Sequence, residues 1–186
     1  MVTYISNMKI LIAIALLPYL IAPVHAQDKE KLQENVERTF KTHEPDWVCK
    51  KSTPEGDPTT QSPNVFYNFQ CKYKGQQLNQ VSGSVYILPS KEEAVKMLDR
   101  SQMMLQVNKS KPLYAIGEQA YWYAGHGAAW ITFRSGTVFG QVNVGVVDPR
   151  TVANPSREMD AFTNDALEIA KRFAFYLTQS SAKLSP

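Results

Sequence analysis

Apolar positions recur along the chain at two spacings, one suited to helices and one to strands. Leu32, Val36 and Phe40 fall four residues apart, which places them on one face of a helix predicted over 28–42. Pro45 ends that helix, and Asp46-Trp47-Val48-Cys49 reads as the start of a short strand. Residues 52–63, rich in Ser, Thr, Pro and Gly, read as a loop. Residues 64–74 then alternate, with Val65, Tyr67, Phe69, Cys71 and Tyr73 on one side, and 78–88 alternate with Val81, Val85 and Ile87. A three-residue turn at Gly75-Gln76-Gln77 pairs Cys71 with Val81, Tyr67 with Val85 and Val65 with Ile87. A two-residue turn would set apolar against polar positions, so the register selects the longer loop.

Ser90-Lys91-Glu92-Glu93 is a capping box that opens a helix carrying Ala94, Met97, Leu98, Met104 and Leu105. The methionines Met97, Met103 and Met104 read as helix packing. That helix ends before Lys111-Pro112, and a short segment at 113–116 leads to a turn at Gly117. Three linked strands follow. With Gly125-His126-Gly127 as a three-residue turn, Trp122 opposes Trp130 and Tyr121 opposes Ile131. With Ser135-Gly136 as a two-residue turn, Phe133 opposes Val138 and Thr132 opposes Phe139. One side then carries Ile131, Phe133, Val138, Val142, Val144 and Val146, which predicts a core face. Residues 148–155 form a loop, and Ser156 caps a final helix striped by Phe162, Ala166, Ile169, Ala170, Phe173 and Leu177.

The order α, β, β, β, α, β-meander, α has no alternating βαβ series. It predicts an α+β fold: a single antiparallel sheet of about five to seven strands with helices packed on one face.

Ahead of this pattern, Met8-Lys9, an apolar run over 10–22 and Val24-His25-Ala26 make a basic, an apolar and a small-x-small cleavage region. The run is too short to span a bilayer, and Pro18 and Pro23 interrupt it. Residues 1–26 are therefore expected to be a cleaved export signal, and 27–186 a single periplasmic or secreted domain. Of the 20 cations only Lys9 lies in the signal, leaving 19 against 17 carboxylates, a net charge of +2. So small a charge argues against nucleic acid as a partner, and no later segment is apolar enough to span a membrane.

Export also decides how the two cysteines read. Cys49 and Cys71 are an even pair in an oxidising compartment, so a disulfide is expected, worth about 3 kcal/mol for a loop of about 20 residues. Lys50, Lys51, Lys72 and Lys74 flank it, as lysines do that keep an edge strand from pairing with another chain.

Little points to catalysis. His43 and His126 are the only imidazoles after the signal, and no GxSxG, HExxH, P-loop or EF-hand pattern occurs. No cofactor, metal site or catalytic residue is assigned. His126 reads as an exposed turn residue and Glu118 as a solvated one. More informative is the side opposite the core, predicted to carry Trp122, Trp130, Thr132, Arg134, Phe139, Gln141 and Asn143. Two cross-strand tryptophans beside amides and an arginine suit stacking on a sugar, an aromatic ligand or a peptide. The competing expectation is that another element covers this face and the tryptophans are ordinary packing.

Gly117-Glu118-Gln119-Ala120, the turn Phe133-Arg134-Ser135-Gly136 and the helix segment Ala170-Lys171-Arg172 resemble a pattern in small exported bacterial proteins of unassigned function. The resemblance covers roughly residues 113–175, with Glu118 standing where many relatives have Asp. It implies an exported α+β domain and brings no catalytic residues. The expected function is a non-enzymatic periplasmic or secreted domain that binds a small ligand, glycan or peptide on an aromatic sheet face. The alternatives are an envelope interaction or assembly protein working through a sheet edge, and an enzyme whose site includes His126, Glu118 and Tyr123.

Overall fold

The structure is a computed structural model that describes residues 22–52, 65–74, 80–106, 109–145 and 155–182. Seven strands make one antiparallel sheet. They are β1 (Trp47–Lys51), β2 (Val65–Tyr73), β3 (Gln80–Ile87), β4 (Lys111–Leu113), β5 (Gln119–Gly125), β6 (Ala128–Ser135) and β7 (Val138–Gly145). Their order is β1-β2-β3-β7-β6-β5-β4, so the β4–β7 meander joins the first three strands through β7 against β3. Among the described residues three helices complete an α+β fold: α1 (Ala22–His43), α2 (Lys91–Gln106) and α3 (Pro155–Ala182). Among the described residues no helix is long and apolar enough to cross a membrane. α1 begins at Ala22, earlier than expected, and takes in the last residues of the predicted export signal. The rest of that signal lies outside the described residues. So do the 53–63 part of the first loop, the Gly75-Gln76-Gln77 turn, Val146 and the 148–154 part of the last loop, while Ser156 falls inside α3 rather than ahead of it as a cap.

α1 and α3 cover one face. Leu32, Val36 and Phe40 from α1 and Ala166, Ala170, Phe173 and Leu177 from α3 close on the inward residues of the central strands. The stripes are those the four-residue spacing predicts. Phe40 meets Phe69 edge-on with ring centroids 5.0 Å apart, and Trp47 meets Phe173 at 5.4 Å. Tyr67 is buried beneath them, and its hydroxyl donates to Glu37 Oε1 at 3.0 Å. Burial and that carboxylate push the phenol well above its ordinary pKa, so it stays protonated.

α1 and α3 thus make the expected helical layer, and α2 packs on the other face. Phe139 and Tyr86, paired across β7 and β3, make an apolar corner there, and Leu88, Ala94 and Leu98 cover it. Ser90 caps the helix as expected, its Oγ accepting the Glu93 amide at 3.2 Å. Met103 and Met104 do not pack: they are 60% and 77% exposed.

The β2–β3 register is the expected one, with Cys71 opposite Val81, Tyr67 opposite Val85 and Val65 opposite Ile87. Cys49 and Cys71 face each other across β1 and β2 and are disulfide-bonded. The β5–β6 register differs from expectation by one residue. Its turn is the two-residue His126-Gly127, with φ of 54° and 71°, as a type I′ hairpin requires. Tyr123 therefore pairs with Trp130, and Trp122 with Ile131. A slip of one flips every side chain on the strand, so the two tryptophans are not cross-strand partners and lie on opposite faces. The β6–β7 turn is Gly136-Thr137 rather than Ser135-Gly136, with Ser135 opposite Val138. That shift of two preserves the faces, and Ile131, Phe133, Val138, Val142 and Val144 are buried as predicted.

Candidate functional site

Antiparallel pairing lines up residues of neighbouring strands into rows across the sheet. On the face that α2 only partly covers, one row runs Lys50, Gln70, Ser82, Asn143, Trp130, Tyr123. The next, nearer α2, runs Asn68, Ser84, Gln141, Thr132, Tyr121. With strands about 4.8 Å apart, the six-residue row spans roughly 24 Å. Its middle is made of short hydroxyl and amide side chains, and one end is aromatic.

These rows form a trough with a cleft of about 530 Å³ lined by Asn68, Ser82, Ser84, Trp130, Gln141 and Asn143. Gln141 and Asn143 are exposed, and Trp130 is half-buried. Tyr123 stacks against Trp130 with centroids 5.4 Å apart and planes at 29°, which fixes the indole at the trough's end. α2 supplies the wall. Gln141 Nε2 donates to the buried Ser101 Oγ at 2.9 Å. Beyond that bond lies a second cleft of about 550 Å³, lined by Lys96, Met97, Arg100 and Met104. Thr132, also in the trough lining, has a buried Oγ1 with no hydrogen-bond partner in the protein. Such an oxygen carries a desolvation cost that a donor arriving from a ligand would offset.

Of the six residues expected to bind, three line the trough: Trp130, Gln141 and Asn143. The other three serve the scaffold. Trp122 packs against the main core, and Lys111 Nζ lies 5.2 Å from the centroid of its ring. Phe139 is buried beneath α2, 1% exposed. Arg134 is also buried, and its Nη1 donates to Glu118 Oε2 at 2.8 Å. Asn68, Ser82 and Ser84 were not expected. Their alternation on β2 and β3 was visible in the sequence, but not the β3–β7 pairing that sets them beside Gln141 and Asn143.

Glu118 is solvent-exposed, as expected, and is also a structural tie. Besides Arg134 it accepts the Gly136 amide at 3.0 Å and pairs with Lys91 at 3.1 Å, joining the β6–β7 turn to the start of α2. The bonds from Lys91, Arg134 and Gly136 hold its carboxyl down at about 2. His126 is exposed on the turn beyond the opposite end of β5, roughly 24 Å of strand away. Glu118, His126 and Tyr123 therefore do not converge. Among the described residues no group of three His, Cys, Asp or Glu is placed to hold a metal ion.

Compared with protein-family models, with curated proteins and with solved structures, the chain gives no match.

Proposed function

We propose that this chain is an exported, non-enzymatic binding domain whose open sheet face takes an extended, hydroxyl-rich ligand, a glycan. The observation that carries this reading is the row of hydroxyl and amide side chains ending on Trp130. Sugar hydroxyls both donate and accept, as do Asn, Gln, Ser and Thr, while an aromatic plane receives the apolar face of a sugar ring. The trough is open along its length, which suits a chain lying across it better than a small molecule needing enclosure. Action through a sheet edge is less well supported. β1 exposes Lys50 and Lys51, and β4 is three residues long and contains Pro112, both features that discourage strand addition. Export rests on the signal-like N-terminal residues, and a disulfide suits an oxidising compartment.

The test is fluorescence of a Trp47→Phe/Trp122→Phe variant, in which Trp130 alone emits, titrated with neutral and acidic oligosaccharides. A saturable emission change is expected, weakened at least about tenfold by Gln141→Ala/Asn143→Ala, the loss of two or three hydrogen bonds. Binding that survives both that double substitution and Trp130→Ala, read by calorimetry in the otherwise wild-type protein, would place the ligand elsewhere and overturn the proposal.

A further inference from the structure

The seven strands contain no aspartate or glutamate, yet they hold Lys50, Lys51, Lys72, Lys111 and Arg134. Two of these cations share the trough's face by register, beyond the residues that line its cleft. Lys50 ends the long row opposite Gln70, and Lys72, two residues along β2 from Gln70, stands diagonal to it on the same face. Diagonal neighbours in an antiparallel pair are about 7–8 Å apart, so the two ammonium groups repel. Neither forms an ion pair among the described residues, although Lys91, Arg134, Lys171 and Arg172 do. The trough therefore runs from an aromatic plate at Trp130, through neutral polar groups, toward a positive end, and among the described residues its lining holds no carboxylate.

Resting on the glycan reading, we propose that the ligand is an acidic polysaccharide, a sugar chain that bears carboxylates. Trp130 and Tyr123 receive a ring at one end of the trough. The hydroxyls and amides of Ser82, Gln141 and Asn143 take the middle, and Lys50 and Lys72 pair with a carboxylate at the other. An edge-protecting role for the lysines requires only that they be exposed, and Lys51 and Lys74 meet that need without facing the trough. The distinguishing feature is the placement of Lys50 and Lys72 on the same face as the polar row, with no acidic side chain among the described residues paired to them.

The experiment uses the single-Trp130 variant with polygalacturonate, alginate and hyaluronate oligomers, each compared with its uncharged methyl ester, and with polyglutamate as an acidic chain without sugars. At least one acidic glycan is expected to bind more tightly than its ester by about tenfold, the worth of two exposed ion pairs. Lys50→Gln/Lys72→Gln should abolish that difference, and added salt should do the same. Esters that bind as tightly as the acids, with Trp130→Ala in the otherwise wild-type protein eliminating both by calorimetry, would overturn the charge inference and leave the glycan reading standing. Polyglutamate binding as tightly as the glycans would reduce the site to simple charge attraction and overturn it too. No emission change with any glycan, charged or esterified, would remove the glycan reading itself.

Discussion

The ring of Tyr123 lies against the indole of Trp130 across the β5–β6 pair, 5.4 Å between centroids and 29° between planes. This stack holds the one tryptophan that the trough presents, while Trp47 is only 7% exposed. In single-tryptophan variants, acrylamide should quench Trp130 more strongly than Trp47. A double-mutant cycle of Tyr123→Ala and Trp130→Ala should give a coupling of about 0.5–1.5 kcal/mol in chemical denaturation. Zero coupling would mean the rings merely sit side by side.

Two glycines on the core face show how closely the sheet is packed. The Phe133 ring lies across Gly140, and the Phe69 ring lies across Gly83, each where a Cβ would otherwise stand. At Gly140 the obstruction is side chain alone, whereas at Gly83 the backbone oxygen of Gln141 also intrudes. Gly140→Ala is expected to cost about 1–3 kcal/mol, and a Phe133→Leu background should recover part of that loss. Gly83→Ala should not be rescued by Phe69→Leu. Denaturant midpoints for the four single variants, the two double variants and the wild type decide it.

Both results bear on how far the sequence could be read. Alternation alone located the inward faces of β2, β3, β6 and β7, because any error of two in a turn leaves the faces intact. The β6–β7 turn was such an error. At β5–β6 the expected turn was wrong by one, since glycines on both sides of His126 make a three-residue loop plausible and only the positive φ of His126 reveals the shorter one. That single slip moved Trp122 from the candidate site to the core. Phe139 and Arg134 were misplaced for a different reason: which part of a face a distant helix covers is a tertiary fact, absent from any local pattern. The same holds for the polar row, which exists only because β7 docks on β3.

Glu118 gives a pH signature. Its carboxyl titrates at about 2, below an ordinary value near 4.5, so the folded state binds its proton more weakly than the unfolded chain does. The stabilisation is fully present above the ordinary value and is lost as pH falls through about 2. Glu118→Gln should therefore be less stable than wild type at neutral pH, by about 1 kcal/mol once screening at this half-exposed group is discounted. The gap should close across the acid range down to pH 2. A gap that persists undiminished at the acid end would show that the carboxylate's charge is not what ties the β6–β7 turn to α2.

The His126-Gly127 turn makes the sharpest prediction, because two registers hang on it. In a two-residue type I′ hairpin both central residues need positive φ, and asparagine adopts that region more readily than histidine. His126→Asn should therefore raise stability by about 0.5 kcal/mol, and Gly127→Ala should lower it by about 1–2 kcal/mol. Gly125 separates the alternatives. In this structure it is a strand residue paired with Ala128, outside the positive-φ set, and an added methyl would first meet the Tyr123 side chain, its hydroxyl at 2.8 Å and a ring carbon at 3.4 Å. Gly125→Ala should thus cost much less than Gly127→Ala. In a three-residue loop Gly125 would itself be a turn residue, and Trp122 would return to the open face beside Trp130. Equal losses at the two glycines, together with no gain from His126→Asn, would support that other register and move the aromatic end of the trough.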